Sequence, residues 1–344
     1  MKIVALLPVK NEAWILPSYL KAMSPIADLI IALDDNSTDG SVEILKQNPK
    51  VQIYTIEDLK KSAVNNDADL VDMSARRTFL LKKAREAGAT HQLWLDADEI
   101  IPSYFHAKFR EAMSQMKPGQ KMVMPWITLW KNVVEQRVDN VWKNLSKDFV
   151  FCDDGISLFP TQKLSEGRTP SNTLYGNERV VVDIPVAHYQ FVFFRRAMIK
   201  QAWYRCHELL QGTRSARRIN ATYSIAEDSS RVQTIKVPTE WSLNDPTASS
   251  HLIQNFKVEE SSYFRDILKW LDEKAESGAK GIVGAEFFEG LNIWDIKELR
   301  DAFITRVGRE PRAQVFPWYI IKLNEFRHSI VGSIRRIKNY FSKK

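Results

Sequence analysis

The first hundred residues alternate short apolar segments with amphipathic ones, and this alternation constrains the fold more than any other feature of the sequence. Apolar runs at 3–7, 29–33, 51–56 and 92–95 predict short strands, two of them almost wholly apolar, as buried parallel strands are. Apolar residues at helical spacing predict helices at 12–23, 41–47 and 74–87. Such alternation predicts an α/β fold with a mostly parallel central sheet and flanking helices.

Polar residues directly follow three of the four predicted strands. They are Lys10-Asn11-Glu12 after the first strand, Asp34-Asp35-Asn36 after the second, and Asp96-Ala97-Asp98-Glu99 after the fourth. In open α/β sheets, ligands bind in the crevice at the carboxyl ends of the strands. The sequence therefore predicts a polar binding site at that edge of the sheet.

The Asp96-Ala97-Asp98 segment is the sharpest local signal for chemistry. Two carboxylates that flank a small residue can present hard oxygen ligands in one direction, which suits Mg²⁺ or Mn²⁺. A nucleotide-sugar needs such an ion, because its diphosphate leaving group gains negative charge that must be neutralised. Taken alone, the same three residues are also compatible with a solvated turn.

The acidic cluster after the second strand has two functions open to it. A carboxylate at Asp35 can accept hydrogen bonds from the N–H groups of a uracil, thymine or guanine base. Asp39, Ser37 and Thr38 suit the cap of the helix that follows. We expect Asp35 to contact the base and Asp39 to cap the helix.

Taken in order, four segments resemble the successive signatures of family 2 glycosyltransferases with the GT-A fold. They are LPVKNE at 7–12, DDNSTD at 34–39, SARR at 74–77 and LDADE at 95–99. The resemblance covers residues 1 to about 101. It implies the GT-A type of α/β fold, a nucleotide-diphospho-sugar donor, a divalent cation (Mn²⁺ or Mg²⁺) and an inverting transfer.

The resemblance also implies roles for individual residues. The nucleoside pocket would be lined by Pro8, Asn11 and Glu12, with Asp35 on the base and Arg76 near the base or diphosphate. Asp96 would contact the ribose or the metal, and Asp98 would bind the metal. The family usually has asparagine where this chain has Arg77, so the role of Arg76 can instead fall on its neighbour.

An inverting transfer also needs a general base that deprotonates the acceptor hydroxyl. The resemblance implies an acidic residue well beyond Asp98, and the candidates are Asp153, Asp154 and Glu166, followed by Asp183. The adjacent pair is favoured, since carboxylates behind aromatic residues can have one pKa raised. His188, in a predicted strand, resembles an added metal or diphosphate ligand of GT-A enzymes; the alternative is a core histidine bonded to backbone.

The rest of the chain is expected to form three further parts. Residues 102–212 would complete a core spanning 1–212, in which 1–101 bind the nucleotide-sugar and 102–212 the acceptor. Residues 213–318 form a helical extension, and 319–344 a basic amphipathic tail. The tail holds seven basic residues against one acidic residue, so it carries most of the net charge of +7. Apolar residues recur in the tail at three- and four-residue steps, which predicts a helix with one apolar face. That helix would either bind an anionic membrane surface or pack on the body of the protein.

These observations predict a transferase that acts on a hydroxyl of a glycan or glycolipid, as in surface polysaccharide or lipopolysaccharide synthesis. A sugar-nucleotidyltransferase would need a Gly-rich loop after the first strand, which is absent. An inactive GT-A-fold binding protein would not need both aspartates. Nucleic acid is not an expected partner, because the charge is concentrated in the tail. Two distant cysteines, Cys152 and Cys206, indicate a reducing compartment. We expect a cytoplasmic protein, free or peripheral at the inner face of the membrane.

Overall fold

The computed structural model describes residues 1–62, 73–159, 167–172, 176–212, 214–227, 231–247, 250–273 and 284–312. Within these ranges the chain divides into two compact units. The first unit consists of Met1–Arg137, Asn144–Val192 and Ile235–Ile253, and the second is built from the described parts of 138–143, 193–234 and 254–312.

The strands of the described chain form one sheet. In chain order they are β1 Ile3–Val9, β2 Leu29–Asp34, β3 Val51–Thr55, β4 His91–Trp94, β5 Glu99–Ile100, β6 Lys121–Trp130, β7 Glu135–Arg137, β8 Ser146–Cys152, β9 Arg179–Val181, β10 Val186–Phe191 and β11 Thr234–Lys236. The strand order is β11-β7-β6-β8-β4-β1-β2-β3, with β10 beside both β5 and β6, and β9 beside β6.

The half of the sheet formed by β4, β1, β2 and β3 is parallel throughout. Its central strand β1 is buried on both faces because its sequence, IVALLPV, is apolar at every position. The other half is mixed: β8 runs antiparallel to both β4 and β6, whereas β6 and β10 are parallel. The predicted α/β class is confirmed, but the sheet is mixed rather than mostly parallel.

The described chain contains ten α-helices, and the three that were predicted at 12–23, 41–47 and 74–87 are among them. They are α1 Leu16–Met23, α2 Ser41–Lys46, α3 Ile56–Ser62, α4 Met73–Glu86, α5 His106–Ser114, α6 Phe194–Leu210, α7 Ala216–Tyr223, α8 His251–Gln254, α9 Ser262–Asp272 and α10 Lys297–Val307. Helix α4 packs Leu80, Leu81 and Ala84 into a core shared with Leu6 of β1 and Leu33 of β2. Helix α3 was not expected, because its sequence continues the end of a predicted strand.

The second unit has an apolar core of its own. Helix α6 buries Ile199, Ala202 and Cys206 against apolar residues of α9 and α10, including Ile267 and Phe303. The expected boundary at residue 212 therefore differs from the observed one, since α6 belongs to the second unit and 235–253 return to the first. The predicted tail at 319–344 lies outside the described residues. Among the described helices, none is both long and apolar enough to cross a bilayer.

Candidate active site

A pocket opens in the first unit at the carboxyl ends of β1 and β4. The parallel pairing puts Leu6 of β1 beside Trp94 of β4, so the residues that follow these strands emerge at the same edge of the sheet. The lining is formed by Leu6, Pro8, Arg76, Arg77, Leu80, Trp94, Leu95, Asp96 and Arg168. Of the residues expected in the nucleotide-sugar site, Pro8, Arg76 and Asp96 are therefore at the pocket.

Asn11 and Glu12 join two loops instead of lining this pocket. Asn11 donates its backbone N–H to Ser37 Oγ at 2.9 Å and accepts from the Thr38 N–H at 2.8 Å. Glu12 is buried and accepts from the Trp14 indole N–H at 2.7 Å. These hydrogen bonds fix the loop after β1 to the loop after β2, and the place of both residues in the nucleoside pocket stays a prediction.

Asp39 completes that junction. Its carboxylate accepts from the backbone N–H groups of Ser41, at 3.1 Å, and of Ala13, at 3.0 Å. Ser41 is the first residue of α2, and the N-cap position itself is Gly40, whose φ of 92° suits a residue without a Cβ. Asp39 therefore holds the helix start, as expected, but from one position earlier than an N-cap.

Asp35 and Arg76 form the basic–acidic pair of the site. Asp35 Oδ2 accepts from Arg76 Nη2 at 2.9 Å and lies 3.3 Å from Lys10 Nζ. Arg76 Nε is buried and has no hydrogen-bond partner among the described residues. Arg77 lines the same pocket but donates to the Gly167 carbonyl at 3.1 Å. Of the two arginines, it is Arg76 that pairs with Asp35.

The Asp96–Glu99 segment is a turn closed by its own last side chain. Glu99 N–H donates to the Asp96 carbonyl at 2.9 Å, and Asp96 N–H donates to Glu99 Oε2 at 3.0 Å. The Glu99 side chain is fully buried, whereas the Asp96 side chain is 46% exposed and faces the pocket. Three carboxylates within four residues thus have different surroundings, and Glu99 fixes the backbone that carries the other two.

Arg168 binds two of these carboxylates. It donates Nη2 to Asp96 Oδ2 at 3.0 Å and to Glu99 Oε1 at 2.7 Å, and Nη1 to Glu99 Oε2. Burial raises the pKa of Glu99, and the charge of Arg168 opposes this rise. Burial alone would lower the pKa of Arg168, but the Asp96 and Glu99 charges more than reverse that, so its pKa is raised. Sequence reasoning missed Arg168, which lies in a polar stretch without periodicity.

His188 faces Asp98, with 3.6 Å between Nε2 and Oδ2. In the strand register His188 of β10 is directly opposite Glu99 of β5, so it lies beside the end of the Asp96–Glu99 turn. His188 Nδ1 is buried and has no hydrogen-bond partner among the described residues. At 3.6 Å the Nε2 contact is also too long for a hydrogen bond. His188 is therefore not the backbone-bonded core histidine that was the alternative.

The Asp98–His188 pair fits a divalent cation as two ligands. Mn²⁺ or Mg²⁺ binds carboxylate oxygen and imidazole nitrogen at about 2.0–2.2 Å, so two ligand atoms of one ion can be up to about 4 Å apart. Asp96 Oδ2 is bonded to Arg168 in this structure. In the described part of the chain, no group of three acidic, histidine or cysteine side chains is gathered as a metal site. An ion held here would therefore complete its shell with ligand or water oxygens.

Lys147 and Trp126 extend the same face of the sheet. Lys147 of β8 is opposite Met124 of β6, so it is a diagonal neighbour of Trp126, and Trp126 is in turn a diagonal neighbour of His188. Lys147 Nζ lies 3.2 Å from the centre of the Trp126 ring, and the His188 ring stacks on it at 4.4 Å. Burial, and then the charge of Arg168, lower the pKa of Lys147 to about 8.

Asp153 and Asp154 lie at the opposite end of β4. Asp153 N–H donates to the carbonyl of Thr90, just before β4 begins, whereas the Asp96 turn follows its end. Arg85 donates to both oxygens of Asp153, at 3.0 and 2.8 Å. Burial raises the pKa of Asp154, but hydrogen bonds from Ser157 and Ile156 outweigh it, so that pKa is lowered.

The expectation that this pair supplies the general base is therefore corrected, because the structure separates it from the pocket. Glu166, the third candidate, lies outside the described residues. Asp183 is exposed, and its backbone carbonyl accepts from Lys108 Nζ at 3.2 Å.

No protein-family model matches this chain, and no curated protein matches it. Part of the chain is similar to solved structures. A structure described as a mycobacterial protein is 15% identical over 41% of this chain and 43% of that one, with a TM-score of 0.30. Glucosyl-3-phosphoglycerate synthase from Mycobacterium tuberculosis, in complex with Mn²⁺, UDP-glucose and phosphoglyceric acid, is 17% identical over 37% of this chain and 44% of that one, with a TM-score of 0.28. The chain spans less than half of either protein, and similarities this limited carry no argument about activity.

Proposed function

We propose that this chain is a metal-dependent, inverting glycosyltransferase of the family 2, GT-A type that uses a nucleotide-diphospho-sugar. One observation carries the proposal: the Asp35–Arg76 pair, Asp96 and the Asp98–His188 pair all lie at the carboxyl edge of the parallel strands, with Arg76 and Asp96 in the same pocket. Such a donor requires a side chain that binds the nucleotide base and an acidic turn that holds a metal ion beside the diphosphate.

Different side chains bind different parts of the donor. Asp35 accepts a hydrogen bond from the base, and Arg76 Nη2 holds the Asp35 carboxylate in place. Arg76 Nε, which has no hydrogen-bond partner among the described residues, donates to the base or the first phosphate. Asp98 and His188 hold the divalent cation, and the exposed Asp96 carboxylate contacts the ribose or the ion. When bound, the ion neutralises the charge that develops on the diphosphate leaving group. Arg168 and Glu99 fix the backbone of the Asp96–Glu99 turn, which carries the carboxylates that bind the ion.

The acceptor is a hydroxyl group of a glycan or glycolipid, deprotonated by an acidic side chain as it attacks the anomeric carbon. Glu166 is the candidate that remains, and it precedes Arg168 by two residues in the sequence. A hydroxyl has a pKa far above neutral, so a base in contact with it accelerates the attack by roughly two to four orders of magnitude. Synthesis of a surface polysaccharide or lipopolysaccharide at the inner face of the membrane would supply such acceptors.

A donor screen by nucleotide release tests the proposal. The full chain is incubated with UDP-, GDP- and dTDP-sugars in Mn²⁺ or Mg²⁺, and parallel samples contain excess EDTA. We expect a nucleoside diphosphate to be released from one donor class, and EDTA to abolish this release. Release of pyrophosphate in place of a nucleoside diphosphate would indicate a nucleotidyltransferase. Full turnover in EDTA would exclude the metal-dependent mechanism.

A further inference from the structure

Lys147 is a cation of the candidate site without an anion of its own. Its ammonium lies over the Trp126 ring, and no described residue accepts a hydrogen bond from it or forms an ion pair with it. The side chain is only partly exposed. A charge removed from water without a partner is unfavourable, and a ring face replaces only a small part of the lost hydration. An ammonium in this state is suited to an anion that arrives with a ligand.

The nearby carboxylates are already engaged by other groups. Arg168 binds Asp96 and Glu99, and His188 faces Asp98. These acids act on Lys147 only through longer-range attraction, which is weaker than the effects of burial and of Arg168 that lower its pKa. A divalent cation beside Asp98 would shift the local balance of charge further toward positive. The site would then favour an anion next to Lys147.

A second lysine in the same sheet is a buried ammonium that has a hydrogen-bond partner. Lys121 of β6 is 5% exposed, and its Nζ donates to Ser171 Oγ at 2.8 Å. Burial lowers the pKa of Lys121 as it does that of Lys147. The difference is that Lys121 has an oxygen partner among the described residues and lies at the end of β6 paired with Phe151, far along the strand from Trp126. Lys121 is therefore a matched control for removal of a buried charge.

We propose that Lys147 contacts a phosphate group of the substrates, so that its ammonium and the cation held by Asp98 and His188 share one anion. This inference rests on the proposed function. The phosphate comes either from the diphosphate of the donor or from a phosphorylated acceptor. The two sources present the same chemistry to Lys147 and are separated by experiment.

The test compares Lys147→Met, Lys147→Arg and the control Lys121→Met with the wild-type chain by calorimetry in Mn²⁺. UDP, GDP and dTDP are titrated beside uridine, guanosine and thymidine. If the donor supplies the phosphate, Lys147→Met weakens nucleoside diphosphate binding by roughly tenfold or more, since hydrogen bonds to charged groups are strong. Nucleoside binding stays unchanged, Lys147→Arg keeps most of the affinity, and Lys121→Met matches wild type.

A second titration distinguishes the acceptor as the source. Inorganic phosphate is added to protein saturated with Mn²⁺ and the preferred nucleoside diphosphate. Loss of phosphate binding in Lys147→Met alone, with unchanged diphosphate affinity, places the anion on the acceptor side. Equal binding of every phosphate probe by Lys147→Met and wild type overturns the inference. If wild type binds none of the three nucleoside diphosphates, the proposed function fails separately. Thermal melts of all variants report folding, and Lys147→Arg preserves the charge should the Met variant unfold.

Discussion

At the scale of single residues, the Asp96–Glu99 turn shows how position within four residues separates the roles of three carboxylates. Glu99 points into the protein and is fixed by Arg168 and by the Asp96 N–H. Asp96 faces the pocket and Asp98 faces His188. Glu99 therefore supports the turn, whereas the exposed Asp96 and the buried Asp98 are the two carboxylates that we propose for ligand binding.

The Asp98→Asn substitution should reduce metal-dependent turnover by about two to three orders of magnitude, because the Asp98–His188 pair would no longer offer the cation a carboxylate. The amide keeps the shape of the side chain, so the thermal melt should stay close to that of wild type. Steady-state nucleotide release at several Mn²⁺ concentrations measures the effect. Wild-type turnover in the variant would remove Asp98 from the mechanism.

Asp35→Ala should weaken nucleotide binding about tenfold while turnover at saturating donor is largely kept, since a contact to the base stabilises ground state and transition state alike. The donor KM and calorimetric affinity measure this. Glu57→Gln, which replaces an exposed carboxylate paired with Lys60, is the control. If Asp35→Ala binds nucleotide as wild type does, Asp35 only orients its loop and the assignment moves to Asp34.

Glu166→Gln and Asp153→Asn should have opposite effects. We expect the first to reduce transfer by roughly two to four orders of magnitude with donor binding kept. The second should keep turnover but lower stability by about 1–3 kcal/mol, because Asp153 accepts charged hydrogen bonds from Arg85. Transfer assays and urea denaturation of both variants measure this. An inactive Asp153→Asn that remains folded would return the base to the Asp153–Asp154 pair.

At the scale of elements, the strand register brings the site together. On one face of β5, β10, β6 and β8 lie Glu99, His188, Trp126 and Lys147. Their order follows from pairing between strands far apart in the sequence, so spacing along the chain does not reveal it. The parallel strands were predictable, since each is a local apolar run.

The same reason explains which site residues the sequence did and did not indicate. Pro8, Asp35, Arg76, Asp96 and Asp98 follow predicted strands or lie in local motifs. Arg168 reaches the turn only through tertiary contacts. Asp153 and Asp154 looked suitable because they follow aromatic residues, but β8 runs antiparallel to β4 and so ends at the opposite edge of the sheet.

Arg168→Met should destabilise the first unit by about 3–5 kcal/mol, because it leaves Glu99 buried without its cation. Adding Glu99→Gln should recover part of that loss, since the two side chains interact directly. Urea denaturation of the single and double variants measures the coupling between the turn and the segment that carries Arg168. A change below about 0.5 kcal/mol in the single variant would show that the ion pair does not hold the turn.

At the scale of the whole molecule, charge is unevenly distributed. Residues 319–344 contain seven basic residues and one acidic residue, Glu325. They therefore carry most of the net charge of +7 of the 344-residue chain. The remainder is close to neutral, so any long-range attraction to an anionic surface would come from the tail. Each basic residue near such a surface contributes about 1 kcal/mol, screened within a Debye length of about 8 Å at physiological salt.

Truncation before Tyr319 should therefore release the protein from anionic vesicles and spare transfer to a soluble acceptor analogue. Co-sedimentation with such vesicles at low and high salt, beside thermal melts of full-length and truncated protein, measures both effects. The full-length protein should bind at low salt and dissociate at high salt. A truncated protein that aggregates, with a full-length protein that ignores vesicles at any salt, would instead indicate a helix that packs on the body.

We propose that the acidic turn and the Asp35–Arg76 pair form one site, which binds a nucleoside diphosphate and a divalent cation. The most direct test is a crystal structure with Mn²⁺ and the preferred nucleoside diphosphate, in which anomalous scattering locates the ion. We predict one Mn²⁺ between Asp98 and His188, with the diphosphate on the ion and the base at Asp35. A Mn²⁺ ion and nucleotide bound elsewhere, with Asp98 and His188 contacting neither, would show that the acidic turn is not the donor site.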